Sequence, residues 1–457
     1  MNKDCHYYGT YYVARMAGFP AQEALQIAWA AETVDECHFD NSKKLIDIAS
    51  EANVLREFDS SFLLTILNTT DDLYHVSSLN ALEENASESS RIMLTAVRSI
   101  WMPFHFLPGN WRKAIKYNKL EYYHGSDDSF LSPQNPHYSQ NMHDWGLMCR
   151  TCSETCWSML QNAKKQYHEW KDVNNSFALY AIGIAMHVLA DTWSHEFFVG
   201  SPNKLINQVS RSKDAVILNM LSTEELVRFS ISNYTYDATG HGPAGSAPDI
   251  PYLDDRFVLY HDFLCKCADG APRMKKRDNQ KNFLSGFAQM LLAMRYIRSN
   301  PDPEADANAK ANILEAYDSA KAELDEVQKL FKDLKFVRNH PTNYPEDDYN
   351  EFVFPSLKKS IQKWKDLIKN TYHEDLIDYD LMRTGIYGVI NFMQAAKKHR
   401  SAVINFIEES LSWKDVFTYR SPFREKPYDA DECVRRFFNK LSNGDQKVLP
   451  FYVPLKK

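Results

Sequence analysis

The chain has few of the sequence features that mark a secreted, a membrane-spanning or a nucleic-acid-binding protein. Its eight cysteines are too few and too scattered in 457 residues to form a disulfide framework. The net charge of −7 gives no general basic surface for nucleic acid. No apolar run reaches the ~20 residues that cross a bilayer, and no secretory signal opens the sequence. We expect a cytoplasmic protein without a transmembrane segment.

Helical periodicity is present almost everywhere. Apolar residues recur at helical spacing, and β-branched alternation is scarce, so the sequence predicts an all-α fold. Helices are expected at 8–17 and 21–36, separated by Gly18-Phe19-Pro20. The segment 299–304 has the composition of a linker. A linker at this point predicts a helical metal-binding domain over 1–298 and a C-terminal helical extension over 299–457. Within the extension we expect helices at 309–334, 355–370 and 376–410.

Three of the cysteines, Cys149, Cys152 and Cys156, are close together in the sequence. Their spacing predicts one helical face. Free cysteine behaves as a small buried hydrophobe, so we expect core packing, with a thiolate metal cluster as the alternative.

The apolar segment 177–190 contains the strongest functional signal. His187, Asp191 and His195 follow one another at steps of four residues, which places them on one slowly drifting helical face. A buried Asp191 needs a cation, and no Lys or Arg occurs between Lys171 and Lys204. These residues predict a metal site. The alternative is a hydrogen bond from Asp191 to a distant arginine, with His187 as an ordinary core histidine.

Further candidate ligands lie outside this helix. His6 begins an aromatic run, and Asp35 ends a helix rich in small residues, with His38 a weaker candidate beside it. His105 and His241 are flanked by Gly and Pro, which fix the backbone of a loop that holds an imidazole. Asp249 follows in the second of these loops.

In this order the candidates resemble the superfamily of zinc-dependent phospholipases C and single-strand-specific nucleases, and are most similar to an uncharacterised bacterial branch of it. The matching positions are His6, Asp35, His105, His187, Asp191, His195 and His241, with Asp249 the loosest match. The His-x-x-x-Asp element at 187–191 is the most specific part. Three features differ. The superfamily's secreted members begin with a metal-binding Trp, which this chain lacks, and their later His follows the Asp after five intervening residues rather than three. The closing His-x-x-x-Glu or His-x-x-x-Asp element is also absent, since Asp249 lies eight residues after His241.

The resemblance implies a multi-helix core that binds one to three zinc ions. His105 and His187 would help to hold one ion, and His195 and His241 another. Asp191 would bridge two ions, and Asp35 would orient the attacking water or accept its proton. The expected reaction is phosphoester hydrolysis, with a lipid, a nucleic acid or a small molecule as substrate. A ligand set of imidazoles and carboxylates favours zinc, although manganese or iron would accept it.

Two other hypotheses remain open. A helical HD-type phosphohydrolase would use His105, His143-Asp144 and Asp191, but it leaves His195 and His241 unused. About one His-Asp dipeptide is expected by chance, and the chain has two, the other at His261-Asp262. The second hypothesis is a non-enzymatic helical scaffold that keeps a structural metal or none.

Overall fold

The computed structural model describes most of the helical core. The described residues are 1–36, 98, 101–110, 146–201, 207, 209–211, 240–241, 247–251, 259–261, 275–276, 278–334 and 348–411.

This part of the chain is all-α, as predicted. A π-helical turn at Asp4–Gly9 leads into the first of nine α-helices that lie within the described residues. They are α1 Thr10–Met16, α2 Ala21–Glu36, α3 Glu154–Trp170, α4 Asn175–Ser194, α5 Asn279–Arg298, α6 Pro303–Leu314, α7 Asp325–Asp333, α8 Asp348–Tyr372 and α9 Gly385–Leu411. Short 3₁₀ helices occur at Ala247–Asp249, Tyr317–Leu324 and Leu381–Thr384.

Three very short strands form a small antiparallel sheet. They are β1 Val209–Arg211, β2 Leu259–His261 and β3 Lys275–Lys276, in the order β1-β2-β3. Val209 is paired with His261, and Tyr260 is paired with Lys276.

Helix α4 is the centre of the core. Asn174 caps its amino terminus by accepting a hydrogen bond from the amide of Phe177. Every residue from Phe177 to Ser194 is buried, because α2, α3, α5 and α9 all pack against this helix. It is long and apolar enough to cross a membrane, but 94% of its apolar window is buried inside the protein.

A glycine sets the distance between α4 and α2. A Cβ added at Gly183 would lie 2.3 Å from the carbonyl oxygen of Ile27 and 2.7 Å from the Cβ of Ala30. The two helices therefore approach closely at a position one turn before His187. This close approach brings the end of α2, which carries Asp35, beside α4.

The predicted helix at 309–334 is wrong in its extent. Helix α6 begins at Pro303, where Asp302 caps it, and the chain then passes through the 3₁₀ turn before α7. Pro at the first helical position and an Asp cap explain the earlier start. The turn places Tyr317 against Trp193, with ring centroids 5.2 Å apart. Tertiary packing has thus overridden the helical periodicity.

The predicted helix at 376–410 begins later than expected, at Gly385. The preceding residues lie in a non-helical segment, 373–380, that packs on the amino-terminal helices. The hydroxyl groups of Tyr7, Tyr8 and Tyr11 donate to the Ile377 carbonyl and to the carboxylates of Asp378 and Glu374. The aromatic run near the amino terminus is therefore part of the core. The predicted domain boundary at 298/299 stays a prediction.

The three clustered cysteines do not share a helical face, contrary to the prediction. Ser153 caps α3 by accepting a hydrogen bond from the amide of Cys156, so Cys149 and Cys152 precede the helix. Cys152 has a φ of 53°, in the left-handed region. All three are buried free thiols, in agreement with core packing.

The close approach at Gly183 gives a stability prediction. Gly183→Ala places a methyl group against the backbone of α2, so we expect a loss of about 1–3 kcal/mol in the free energy of unfolding. Gly286→Ala in α5 is the control, because the corresponding Cβ would meet only side-chain atoms, at 3.1 Å or more. Urea denaturation measures both, and an equal effect of the two changes would contradict the packing argument.

A buried carboxyl group on α2 gives a prediction about pH. Burial raises the pKa of Glu32 to about 8, against the attraction of Lys3. The folded state therefore holds a proton that the unfolded state loses above its ordinary pKa of 4.5. Ionisation of Glu32 makes folding less favourable as the pH rises from about 4.5 to 8. Glu32→Gln removes this loss of stability. Lys3 still has an ion-pair partner in the variant, because its Nζ lies 2.5 Å from Oε1 of Glu36.

We expect the variant to gain stability relative to the wild type as the pH rises through this window. Denaturation midpoints at several pH values measure the effect. A difference between Glu32→Gln and the wild type that stays constant from pH 5 to 8 would contradict it.

Candidate metal centre

The structure brings all eight predicted ligands into one connected cluster. They come from separate elements: the π-helical turn, the end of α2, the loop after the helical residues 101–104, the last two turns of α4 with the residue directly after it, and the segments at 240–241 and 247–249. The eight are His6, Asp35, His105, His187, Asp191, His195, His241 and Asp249. The i, i+4 spacing on α4 accounts for His187 and Asp191. His195 follows Asp191 at the same spacing, with its Nδ1 3.6 Å from Oδ2 of Asp191. The remaining five members meet them only through tertiary packing.

The first group consists of four facing atoms. Nδ1 of His105 lies 3.3 Å from both Nε2 of His187 and Oδ2 of Asp191. The same two atoms of His187 and Asp191 are 3.2 Å apart. Oδ1 of Asp35 lies 3.6 Å from the His105 nitrogen and 3.7 Å from the His187 nitrogen. Tetrahedral zinc with bonds of ~2.0–2.1 Å separates its ligand atoms by about 3.3–3.4 Å. The atoms of His105, His187 and Asp191 are therefore spaced as one coordination shell requires, and Asp35 approaches the two histidines from beside them.

The second group contains His195, His241 and Asp249. Nε2 of His195 lies 3.1 Å from one Asp249 oxygen, and Nε2 of His241 lies 3.3 Å from the other. Nδ1 of His195 donates to the carbonyl of His105 at 2.7 Å. Because a carbonyl only accepts, this bond puts the proton on Nδ1 and leaves the Nε2 lone pair for a ligand. Metal-binding histidines commonly have such a partner.

The third group lies on the opposite side of Asp191. Oδ1 of Asp191 is 2.5 Å from the amino group of Met1 and 3.1 Å from Nε2 of His6. The Met1 amino group is also 3.2 Å from Asp249, and the His6 nitrogen is 3.6 Å from Oδ2 of Asp35. Asp191 and Asp35 thus each direct their two oxygens toward different groups, as bridging carboxylates do. Met1 carries no chemical signal in the sequence; only its nearness to His6 points to it.

Electrostatics keep two of the histidines neutral. Burial and the Met1 amino group lower the pKa of His6 to about 4, and burial with the nearby His6 lowers the pKa of His187 far below its usual value. Their rings stack with centroids 3.9 Å apart, an arrangement that two imidazolium ions would oppose. Neutral imidazole is the form that binds metal ions.

The pKa values of the three carboxyl groups shift in different directions. Burial raises the pKa of Asp35 well above its ordinary value; His105 opposes this rise and Asp191 adds to it. Burial acts the same way on Asp191 and Asp249, but the Met1 amino group and the nearby histidines outweigh it and lower both pKa values. Asp35 and Asp191 are buried near each other, and the raised pKa of Asp35 reflects both its burial and the charge of Asp191. A divalent ion would supply compensating positive charge.

An aromatic stack supports the second group. Phe106 lies between Trp101 and His195, with centroid distances of 5.4 Å and 4.6 Å. Gly240 has a φ of 55°, and an added Cβ would lie 2.3 Å from the Phe106 ring. The glycine lets the backbone before His241 pass directly over Phe106. This explains why a glycine precedes that histidine.

Two predicted positions cannot be placed. His38, the weaker candidate, and His143-Asp144, the dyad of the HD-type hypothesis, lie outside the described residues.

The fold and the cluster together define an all-α protein whose buried histidines and aspartates could hold a metal ion. A family model described as a family of unknown function (DUF6765) matches residues 1–407, and the chain belongs to that family. No curated protein and no solved structure matches the chain significantly.

The geometry predicts that metal uptake depends on Asp191. Asp191 has one oxygen in each of two groups, so Asp191→Asn should abolish or strongly reduce binding of zinc or manganese. Metal analysis after dialysis measures this, and added metal should also raise the melting temperature of the wild type.

Asp306→Asn is the matched control, because Asp306 pairs with Lys164 at 2.7 Å and lies outside the cluster. Full metal content in Asp191→Asn, or none in the wild type, would contradict the assignment.

Proposed function

We propose that this protein is a metal-dependent hydrolase of phosphoester bonds. The observation that carries the proposal is the spacing of Asp35, His105, His187 and Asp191, whose facing atoms lie 3.2–3.7 Å apart in the pairs given above. The second group beside them would hold a further ion. The order and grouping of these residues also match what the resemblance to zinc-dependent phospholipases C and single-strand-specific nucleases implies.

The donor set fits zinc best. Imidazole nitrogens and carboxylate oxygens suit zinc, manganese and iron, and none of the facing atoms is a thiolate. The number of ions in the proposal is two or three, because Asp191 divides its oxygens between the first and third groups and the second group has its own carboxylate.

The chain's residues have distinct roles in the proposed reaction. Divalent ions bound here would lower the pKa of a water ligand and polarise a phosphoryl oxygen. Asp191 is only 1% exposed and has one oxygen in each of two groups, so it would keep the metal positions of these groups at a fixed separation. The side chain of Asp35 is 32% exposed, so it can reach both the ligand cluster and an incoming water. Burial raises its pKa, which favours uptake of a proton from that water.

The apolar surroundings assist the same chemistry. His6, His187 and Asp191 are almost completely buried, so charges in the centre are poorly screened by water. His241 is 24% exposed at its side chain. With Asp35 it marks the side from which we expect substrate to approach. The substrate would be a phosphoester of a lipid, a nucleic acid or a small molecule.

Hydrolysis of a chromogenic phosphodiester and a phosphomonoester tests the proposal. We expect activity in the metal-loaded protein, its loss with a chelator, and its return with zinc or manganese. Asp35→Asn should lower the rate by about 10²-fold or more while metal is retained in part. Glu36→Gln is the matched control, because the neighbouring Glu36 carboxylate contacts Lys3 instead.

The outcomes separate the hypotheses. Bound metal without hydrolysis of either ester would favour a structural metal in a non-enzymatic scaffold. Loss of metal in His143→Ala but not in His241→Ala would favour the HD-type arrangement.

A further inference from the structure

A histidine on the C-terminal helix contacts the loop that carries His105. His399 lies in α9 and is 3% exposed. Its Nε2 atom is 2.9 Å from the carbonyl oxygen of Pro103, across 296 residues of sequence. His399 is not one of the predicted ligands. The residue that it contacts, Pro103, lies two residues before His105 in the sequence.

The hydrogen bond has a defined direction. A carbonyl oxygen only accepts, so the proton is on Nε2 of His399 and the ring is the donor. Burial lowers the pKa of His399 to about 4, so the ring is neutral at physiological pH. Pro103 belongs to the short helical turn 101–104, and the last carbonyls of a helix have no partner within it. His399 supplies such a partner at the helix end from which the His105 loop leaves.

A second contact acts on the next residue. The His399 ring stacks on Phe104, with centroids 5.3 Å apart and planes at 28°. Phe104 is 1% exposed, so both partners are enclosed in the core. The imidazole therefore fixes both residues that precede His105.

The other side of His105 is fixed from within the metal centre. Its carbonyl accepts the bond from Nδ1 of His195 at 2.7 Å. The backbone of His105 is thus held between a ligand of the second group and a helix of the C-terminal part. Its Nδ1 can then face His187 and Asp191 at 3.3 Å.

We propose that His399 is a positioning residue, which sets the His105 imidazole for metal binding and makes the affinity of the first group depend on α9. The inference rests on the proposed metal-binding function. Outer-shell partners of metal-binding residues typically change metal affinity 10–100-fold when they are removed.

Three variants separate positioning from general support of the core. His399→Phe keeps a ring against Phe104 but removes the donor. His399→Gln keeps an amide donor near the position of Nε2. Val403→Ala is the matched control, because Val403 is buried at 2% exposure one turn further along the same helix.

The experiment measures zinc affinity by competition with a chromogenic chelator, the visible absorption of the Co²⁺-loaded protein, and the melting temperature of the metal-free protein. We expect His399→Phe to weaken one ion about 10–100-fold and to alter the Co²⁺ spectrum. His399→Gln should restore most of both. Val403→Ala should lower the melting temperature without changing either metal readout.

Equal metal affinity in His399→Phe and wild type would overturn the inference and leave the proposed function intact. So would equal losses in His399→Phe and His399→Gln, or a loss in Val403→Ala of the same size. A wild-type protein that takes up neither zinc nor cobalt would overturn the proposed function together with the inference.

Discussion

A carboxylate buried in an apolar helix has to be compensated by positive charge or by many donors, because the protein interior solvates it poorly. Asp191 is such a carboxylate, and the surrounding structure is arranged around its two oxygens. One faces His105 and His187, and the other faces His6 and the amino group of Met1. The elements that supply these groups are far apart in sequence, so Asp191 ties the fold together as well as defining the site.

The core gives Asp191 a fixed place. Helix α4 is enclosed by four other helices, and Gly183 lets α2 approach its backbone closely. Asp35 at the end of α2 consequently lies beside the histidine ligands rather than in solvent. Small residues on α2 and α4 therefore help to assemble the ligand cluster although they carry no reactive group.

The sequence alone was sufficient for the part of the site that depends on local geometry. The four-residue spacing predicted that His187 and Asp191 share a face, and the absence of a nearby Lys or Arg predicted a need for a cation. His105, His241 and Asp249 were candidates because of their Gly- and Pro-flanked loops, but only the resemblance in residue order grouped them with α4, since no local rule brings these loops together. The start of α2 was predicted correctly because Pro20 precedes it.

Other features depended on contacts that no local pattern records. The Cys149, Cys152 and Cys156 spacing suggested a helix, but the Ser153 cap starts α3 later. The segment 373–380 is not helical because tyrosines from the amino-terminal helices bind it. No local pattern in the sequence around His399 indicates its hydrogen bond to the carbonyl of Pro103. Each case reflects tertiary packing, which propensity and periodicity do not contain.

The contact between His399 and Pro103 also bears on how the protein is made. A chain emerging from the ribosome folds from its amino-terminal end, and all eight candidate ligands, the last of which is Asp249, are synthesised before α9. The loop at His105 receives its last support only after residue 399 has been synthesised. A chain that ends before α9 would therefore contain all eight candidate ligands but lack the two contacts through which His399 supports the His105 loop.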